Sequence, residues 1–370
     1  MAKPPSAHRL LLGPGPSNVH PRVLRAMAQP LYGHLDPAFL AILDDVQEQL
    51  RALFGTANAM TLPLSGTGSA GMEACLCNLL ERGDDVVVGV AGVFGERMSD
   101  VASRIGANVT QVRTEPGTIL SDDAMAAAIA EVQPRVVAFV HAETSTGVCQ
   151  PVEGIARAAR EAGAMVVLDC VTSLAGLPVT LDDWGIDAAY SGTQKCLSCP
   201  PGLSPVSFSE RAVERARTRA TKVQSWYVDI NLLAGYFGSD RIYHHTAPIS
   251  AIFALSAGLA LIAEEGMEDR ARRHTHAAAA LVEGLAPFGM TPLVAAEHRL
   301  PMLTSVKLPE KLQGAEEAKL RRRLLDIYGI EVGGGLGSLA GRIWRIGLMG
   351  ENARITNVEA LMCALRRELS

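Results

Sequence analysis

The spacing of apolar positions changes period several times along this chain. Between residues 36 and 54 they fall at 39, 40, 43, 46, 50 and 53, the spacing of one helix face, with Asp36 placed to cap and Pro37 at the first helical position. Short β-branched runs follow at Asp85–Val90, Val136–Val140, 165–168, Ala188–Tyr190 and Leu203–Phe208, each predicting a strand. Between several of them, Ala-rich segments at 121–131 and 151–162 return to helical spacing. Strands apolar on both faces and joined by helices predict an α/β fold: a large domain whose mainly parallel sheet is sandwiched by helices, with ligands beyond the carboxyl ends of the strands. After Pro248 the pattern shifts to long helices at 250–265 and Met267–Leu285, then to strands near 302–308 and 343–348, which predict a smaller C-terminal α+β domain. The expected division is an N-terminal arm at 1–19, a large domain at 20–265 and a small domain at 266–370.

Composition narrows the function classes. The 370 residues exceed what one core usually serves, and 48% hydrophobic against 20% charged residues is the balance of a globular enzyme. With 34 basic and 39 acidic residues the net charge is −5, which offers no general attraction to nucleic acid or to an anionic membrane. No apolar run approaches the ~20 residues needed to cross a bilayer, and the first dozen residues lack the apolar stretch of a secretory signal, so cytoplasm is the expected compartment. Seven cysteines, an odd number, are expected as reduced thiols. Cys196 and Cys199 have metal-like spacing, but there is no second pair and two prolines follow, so small packing residues are expected and no metal site.

The candidate chemistry gathers at strand ends. Asp169 closes the apolar run beginning at Met165, and Lys195 follows the strand Ala188–Tyr190 through Ser191-Gly192-Thr193-Gln194. An acid and an amine closing neighbouring strands are what pyridoxal phosphate demands: one group for its ring nitrogen, one for its aldehyde. A carboxylate ending so apolar a strand needs a partner if buried, and a protonated ring nitrogen is one; capping the following helix is the ordinary alternative. Lys195 can serve as nucleophile and, once displaced, as general base; alone, it would read as a surface lysine in a turn. The run Ser65-Gly66-Thr67-Gly68-Ser69-Ala70-Gly71 precedes a helical segment at 72–80, so small residues and hydroxyls stand where a helix N-terminus can hold a phosphate. The run also satisfies the dinucleotide pattern, but Pro63 interrupts the strand expected before it, and Asp84 and Asp85 open the next strand instead of closing it. Phe94 could stack on a planar ring or pack in the core, and the hydroxyls of Thr144-Ser145-Thr146 mark another strand end or an ordinary turn.

With these residues side by side, the chain resembles the class V, fold-type I pyridoxal-phosphate aminotransferases, and most closely their alanine–glyoxylate/serine–pyruvate branch. The likeness covers nearly the whole length. It rests on Leu11-Leu12-Gly13-Pro14-Gly15-Pro16-Ser17-Asn18, on Glu143-Thr144-Ser145-Thr146-Gly147-Val148, on Ser191 to Lys195 followed by Pro200-Pro201-Gly202, on Tyr243-His244-His245-Thr246, and on residues 333–337 followed by Arg345-Ile346-Gly347. The resemblance implies that Lys195 bonds the cofactor and Asp169 pairs with its ring nitrogen. Phe94 would stack on the ring, Thr144 would lie near it, and Ser65, Gly66, Thr67 and Gln194 would bind phosphate. It further implies that Tyr243 and Thr246 reach the phosphate from a second subunit, making an obligate homodimer with shared sites. Gly15 and Arg345 would face the substrate, Arg345 forking onto its carboxylate. Eukaryotic members usually carry Trp at the place of Phe94 and His at that of Thr67, which changes the stacking area and the contacts near the phosphate. The C-terminal Arg367-Glu368-Leu369-Ser370 is not a peroxisomal address.

The implied reaction is transamination by two half-reactions, from a small amino acid such as L-alanine or L-serine to glyoxylate or another small 2-oxo acid. Two alternatives stand beside it. A class V lyase such as a cysteine desulfurase needs a mobile, exposed thiol, whereas Cys170, Cys196 and Cys199 sit beside Asp169 and Lys195 with no flexible-loop setting. A nicotinamide-binding oxidoreductase would use the glycine run at 66–71.

Overall fold

The computed structural model describes residues 8–369. The first seven residues of the 1–19 arm, and Ser370, lie outside the described residues. In chain order the strands are β1 Leu10–Leu12, β2 Met60–Ser65, β3 Asp85–Val90, β4 Asn108–Arg113, β5 Val136–Val140, β6 Ala142–Glu143, β7 Val148–Cys149, β8 Met165–Asp169, β9 Ala188–Tyr190, β10 Leu203–Phe208, β11 Thr291–Pro292, β12 Leu303–Lys307, β13 Ile330–Gly334 and β14 Ile343–Gly347.

Seven of these form one sheet in the order β2-β10-β9-β8-β5-β3-β4. Its contacts from β9 through β8, β5 and β3 to β4 are parallel, and β10 alone runs against both of its neighbours. Because β10 is antiparallel to both β9 and β2, β2 points the same way as the parallel strands, and its end at Ser65 reaches the same edge as Asp169. Helices cover the sheet. Gly68–Leu79, Val93–Ile105, Asp122–Val132 and Glu153–Glu161 each leave a strand end and return, as crossovers between parallel strands must. The helix Pro37–Phe54 begins at an Asp36 cap whose carboxylate accepts the Ala38 N–H at 2.8 Å, with Pro37 at its first position.

Two strands of this sheet carry no clear signal in the sequence. In β2, Pro63 stands directly opposite Pro205 of β10, at the sheet edge where a missing donor is tolerated, so the proline that argued against a strand sits inside one. The other, β4, is a polar edge strand, NVTQVR, half-covered on both faces. These positions also remove the dinucleotide alternative at its root: the strand before the glycine run and the one after it are separated by four others, so they form no βαβ unit.

A five-stranded sheet, β1-β13-β14-β12-β11, makes a second layer backed by the helices Met267–Leu285, Ala315–Tyr328 and Ile355–Leu369. Its core holds Leu281, Leu324, Trp344, Ile346 and Leu361, and it takes Leu12 from the N-terminal arm through the parallel pairing of β1 with β13. Met302, Leu303 and Met349 instead join the core of the large sheet. The chain beyond Leu12 therefore crosses from the small sheet to the carboxyl edge of the large one. No single helix among the described residues is long and apolar enough to cross a membrane.

Candidate active site

The carboxyl ends of β8 and β9 deliver the two groups that the sequence singles out. Asp169 and Tyr190 stand in register on these neighbouring parallel strands, and Lys195 lies in the turn that follows. Asp169 is buried, with Oδ1 accepting the Val171 N–H at 2.8 Å and Oδ2 accepting the Tyr190 hydroxyl at 2.8 Å. Burial raises its pKa to about 7 against the lowering effect of those two hydrogen bonds. A carboxyl so placed ionises readily only when a cation or a charged N–H is brought to it.

The Lys195 amine donates to the carbonyl of Pro14. Gly15, at φ 107°, passes so close that a Cβ on it would lie 2.6 Å from Nζ, so this position needs glycine both for its conformation and for room. Burial lowers the lysine pKa to about 8, and the nearby Arg345 and Arg97 act in the same direction while Asp169 opposes them. An amine near 8 is partly neutral under physiological conditions, as a nucleophile requires.

An anion cradle faces this pair. Gly66 is at φ 132°, and its N–H donates to the Gly202 carbonyl at 2.9 Å. Thr67 caps the helix Gly68–Leu79 without any side-chain hydrogen bond, leaving its hydroxyl and the first helical N–H groups for a ligand. A Cβ on Gly68 would come within 2.9 Å of Val171, so the helix end sits tight against the Asp169 loop. Gln194 Oε1 is buried and has no partner in the chain; with the amide turned over, its NH₂ would point there instead. Thr67, Gly68, Ser69, Gln194, Asp169 and Lys195 line one cavity of about 250 Å³. Ser65 stands behind it, with its hydroxyl 3.1 Å from His245 Nε2.

Phe94 and Thr144 complete the walls, and Arg345 stands behind Thr144. Phe94 occupies the first turn of the helix Val93–Ile105, and Glu143 holds that turn: Oε2 accepts the Phe94 N–H at 3.2 Å, while Oε1 accepts the Ser145 N–H and hydroxyl at 3.0 and 2.6 Å. Ser145 Oγ in turn accepts the Val93 N–H at 2.9 Å. The Arg97 guanidinium lies over the Phe94 ring, 5.0 Å from its centroid, and both line the cavity. Arg345, on β14 opposite Gly333 and Ser305, donates to the carbonyls of Gly334 at 2.7 Å and Thr144 at 3.2 Å. Burial lowers its pKa and the buried Glu143 carboxylate opposes this, but no carboxylate among the described residues forms an ion pair with it.

Tyr243 and Thr246 are not brought into the cavity of their own chain. Both are exposed, and the Tyr243 ring lies 5.2 Å from His34 on the outer surface. Cys196 and Cys199 are buried, and the Cys199 thiol points to the Ala254 carbonyl at 3.5 Å. Among the described residues no group of side chains could hold a metal ion.

Tyr190, Arg97 and Glu143 were not assigned roles from the sequence. Tyr190 could have been found by pairing the ends of adjacent parallel strands, and Arg97 by its position one helical turn beyond Phe94. Glu143 leaves no such trace, because its tie to Phe94 is a backbone N–H of a segment 49 residues away.

The arrangement fits pyridoxal phosphate. Lys195 would meet its aldehyde, Asp169 its ring nitrogen and Phe94 its ring face, while the uncapped helix end and the Gln194 side chain would meet its phosphate. Comparison with known proteins agrees with this fit. The sequence model for aminotransferase class-V matches residues 9–352. The chain is 40% identical to an alanine–glyoxylate aminotransferase of Oryctolagus cuniculus over 98% of this chain and 93% of that one. It is 38% identical to an (S)-ureidoglycine–glyoxylate transaminase of Bacillus subtilis, over 98% of this chain and 90% of that one. The crystal structure of an alanine–glyoxylate aminotransferase from Nostoc sp. superimposes with a TM-score of 0.96 at 48% identity, covering 100% of this chain and 98% of that one. The lysine turn, the buried strand-end aspartate and the full-length match together place this chain in the class V aminotransferase family.

Proposed function

We propose that the chain transfers the amino group of a small amino acid, such as L-alanine or L-serine, to glyoxylate or another small 2-oxo acid, one site serving both half-reactions. The observation that carries this reading is the placement of Arg345: a guanidinium without a carboxylate partner, anchored on the carbonyls of Gly334 and of the cavity residue Thr144, and near enough for its charge to help lower the Lys195 pKa. Its remaining N–H groups suit the α-carboxylate that every donor and acceptor of this class carries. Relatives that use glyoxylate, as their names state, supply the acceptor.

Bound here, pyridoxal phosphate supplies an aldehyde for amine exchange and a ring that draws electrons from the α-carbon. The chain's own groups do the rest. Asp169 would hold the ring-nitrogen proton, helped by Tyr190, whose hydroxyl donates to the carboxylate. The Lys195 amine, once free, would take the proton from the donor's α-carbon, a task suited to an amine with a pKa of about 8. Arg345 fixes the carboxylate so that this proton points at the lysine. Lyase chemistry by a sulfur carrier is disfavoured, since Cys196 and Cys199 are buried and their thiol pKa values are pushed up to about 12.

A homodimer with shared sites is part of the proposal. Its support is the exposure of Tyr243 and Thr246 together with exposed apolar side chains at Leu31, Tyr32, Trp226 and Ile242. Cytoplasm is the proposed compartment, supported by seven unpaired cysteines; no nucleic-acid or membrane partner is proposed. The test is the absorbance of the purified protein with each amino acid, before and after glyoxylate. The lysine-bound cofactor band should fade with a true donor and return with the acceptor. A band that fades and never returns would sink the proposal, and sedimentation at monomer mass would sink the dimer.

A further inference from the structure

Three consecutive carbonyls of the lysine turn are taken by donors from outside the large sheet. Gln194 O accepts the Ser17 N–H at 2.8 Å, Lys195 O accepts the Ser17 hydroxyl at 2.8 Å, and Cys196 O accepts Arg270 Nη2 at 2.6 Å. Arg270 sits in the first turns of the helix Met267–Leu285, buried, and no step of the chemistry uses it. Its Nε donates to the Ala175 carbonyl at 2.8 Å and its Nη1 to Glu265 at 2.6 Å. Ala175 belongs to the loop that follows Asp169, and Cys196 to the turn that contains Lys195. One planar guanidinium thus spans the two segments carrying the acid and the amine.

The same carboxylate reaches further. Glu265 also binds Arg273 at 2.6 and 2.9 Å, and Arg273 donates to the carbonyls of Gly350 at 2.8 Å and Ala353 at 3.0 Å. Gly350 lies against the lysine turn: a Cβ on it would come within 2.6 Å of the Cys196 carbonyl. The turn after β14 and the turn of Lys195 are therefore held at one spacing.

We propose that Arg270 is a positioning residue for Lys195: it fixes the loop after Asp169 and the turn of Lys195 at one separation and, through Glu265 and Arg273, ties both to the turn at Gly350. The fork is what the task needs. Three donors in one plane meet two carbonyls and a carboxylate at set angles, which an ammonium on a flexible stem cannot do. Without it the Cys196 peptide is free to rotate, and the lysine stem that it follows no longer holds the amine on the Pro14 carbonyl. Reaction rates are sensitive to displacements of this size.

This inference rests on Lys195 as the group that bonds the cofactor, not on the identity of donor or acceptor. The experiment follows the pH dependence of the rate at which the full-length chain, stripped of cofactor, takes up pyridoxal phosphate, read by absorbance, with thermal unfolding of each protein alongside. The native midpoint is expected near 8, where burial places the Lys195 amine. In Arg270→Met, of similar bulk but without donors, the midpoint should rise by half a unit or more as the amine escapes to water, and uptake should slow about tenfold. Arg270→Lys should recover part of both. Arg273→Met, which strips the same Glu265 but leaves the Arg270 bonds to Ala175 and Cys196 in place, should melt lower and yet shift the midpoint and slow the uptake less than Arg270→Met does.

If Arg270→Met keeps the native midpoint and rate, Arg270 serves stability alone and the proposal fails. Should that variant not fold, Arg270→Lys decides by the same criterion: a raised midpoint supports positioning, an unchanged one with a lowered melting temperature overturns it. A native chain that takes up no cofactor overturns the assignment of Lys195 itself, and the role of Arg270 with it.

Discussion

The hydroxyl of Tyr190 donates to Asp169 Oδ2 at 2.8 Å, across the register that pairs the last residues of β8 and β9. Tyr190 is fully buried and its own pKa is raised well above the ordinary tyrosine value by burial, so it stays a donor at every working pH. Its bond is one of the effects that lower the pKa of Asp169. Tyr190→Phe should therefore leave the carboxyl harder to ionise and a weaker partner for the ring nitrogen. A hydrogen bond to a charged group is worth about 1.5 to 3 kcal/mol, so kcat/KM should fall by about tenfold or more, with the acid limb of the pH profile moved to higher pH. An unmoved acid limb would show that Val171 N–H alone suffices.

Replacing the acid itself should have opposite effects on stability and activity. The folded pKa of Asp169 is about 7 against 3.8 for the ordinary group, so between these values the folded, cofactor-free chain binds more protons than the unfolded one. Its stability therefore falls as pH rises from about 4 to 7 and is flat above; the loss is on the order of 4 kcal/mol. Asp169→Asn removes the ionisation but keeps only one good acceptor for Val171 and Tyr190, costing about 1 to 2 kcal/mol in return. The cofactor-free variant should be roughly 2 kcal/mol more stable than the native chain at pH 8 and no more stable at pH 4. Denaturant melts at the two pH values check the sign, while turnover should drop about a hundredfold or more for want of the ring-nitrogen partner.

How much of this was legible in the sequence follows from where each signal resides. Strands β3, β5, β8 and β9 are largely apolar on both faces, β10 is buried throughout with Leu203, Val206 and Phe208 to mark it, and helices such as Pro37–Phe54 carry their caps in the chain itself, so pattern alone finds them. β2 and β4 are edge strands; one contains a proline and the other is largely polar, because an edge neither needs every donor nor buries both faces. Asp169 and Lys195 could be read because strand ends are local. Arg345 has no local signal, for it becomes a site residue only when β14 packs beside the Thr144 turn; its role came from family resemblance. Arg270 lies still further from pattern, since its meaning is a pair of backbone carbonyls 74 and 95 residues away.

The guanidinium of Arg345 lends itself to a separation of binding from chemistry. Arg345→Lys keeps the charge but loses the fork, and a lysine cannot span the Gly334 and Thr144 carbonyls while also presenting two N–H groups to a carboxylate. The expected result is a KM for the amino donor raised by about tenfold to a hundredfold, from the loss of one charge-assisted hydrogen bond, with the absorbance band of the lysine-bound cofactor unchanged. Steady-state kinetics with the donor varied, read beside the spectrum of the resting protein, checks both halves. Loss of the band would mean that Arg345 supports the cofactor more than the substrate.

His274 offers a test on the acid side. Its Nε2 accepts the Gly350 N–H at 2.9 Å and its Nδ1 lies 2.7 Å from the Arg270 carbonyl, so the buried ring must be neutral, with its proton on Nδ1. Burial lowers its pKa to about 3 from the ordinary 6.5, the hydrogen bond to the Arg270 carbonyl opposes this, and the charges of Arg270 and Arg273 push further down. The sign is fixed: a folded pKa below the unfolded one means that this residue's stabilisation is complete above pH 6.5 and drains away as pH falls towards 3. At pH 5 the loss is about 2 kcal/mol. Asp169 gains stability over the same range, so the native melt alone would mix the two effects. Comparison with His274→Gln isolates the histidine, because Asp169 is common to both chains and a glutamine carbonyl can accept the Gly350 N–H without ever titrating. The variant should be less stable than the native chain at pH 7.5, and that deficit should shrink by about 2 kcal/mol at pH 5; a deficit equal at both values would mean that the ring takes up its proton as readily in the folded chain as in the unfolded one, free of Gly350.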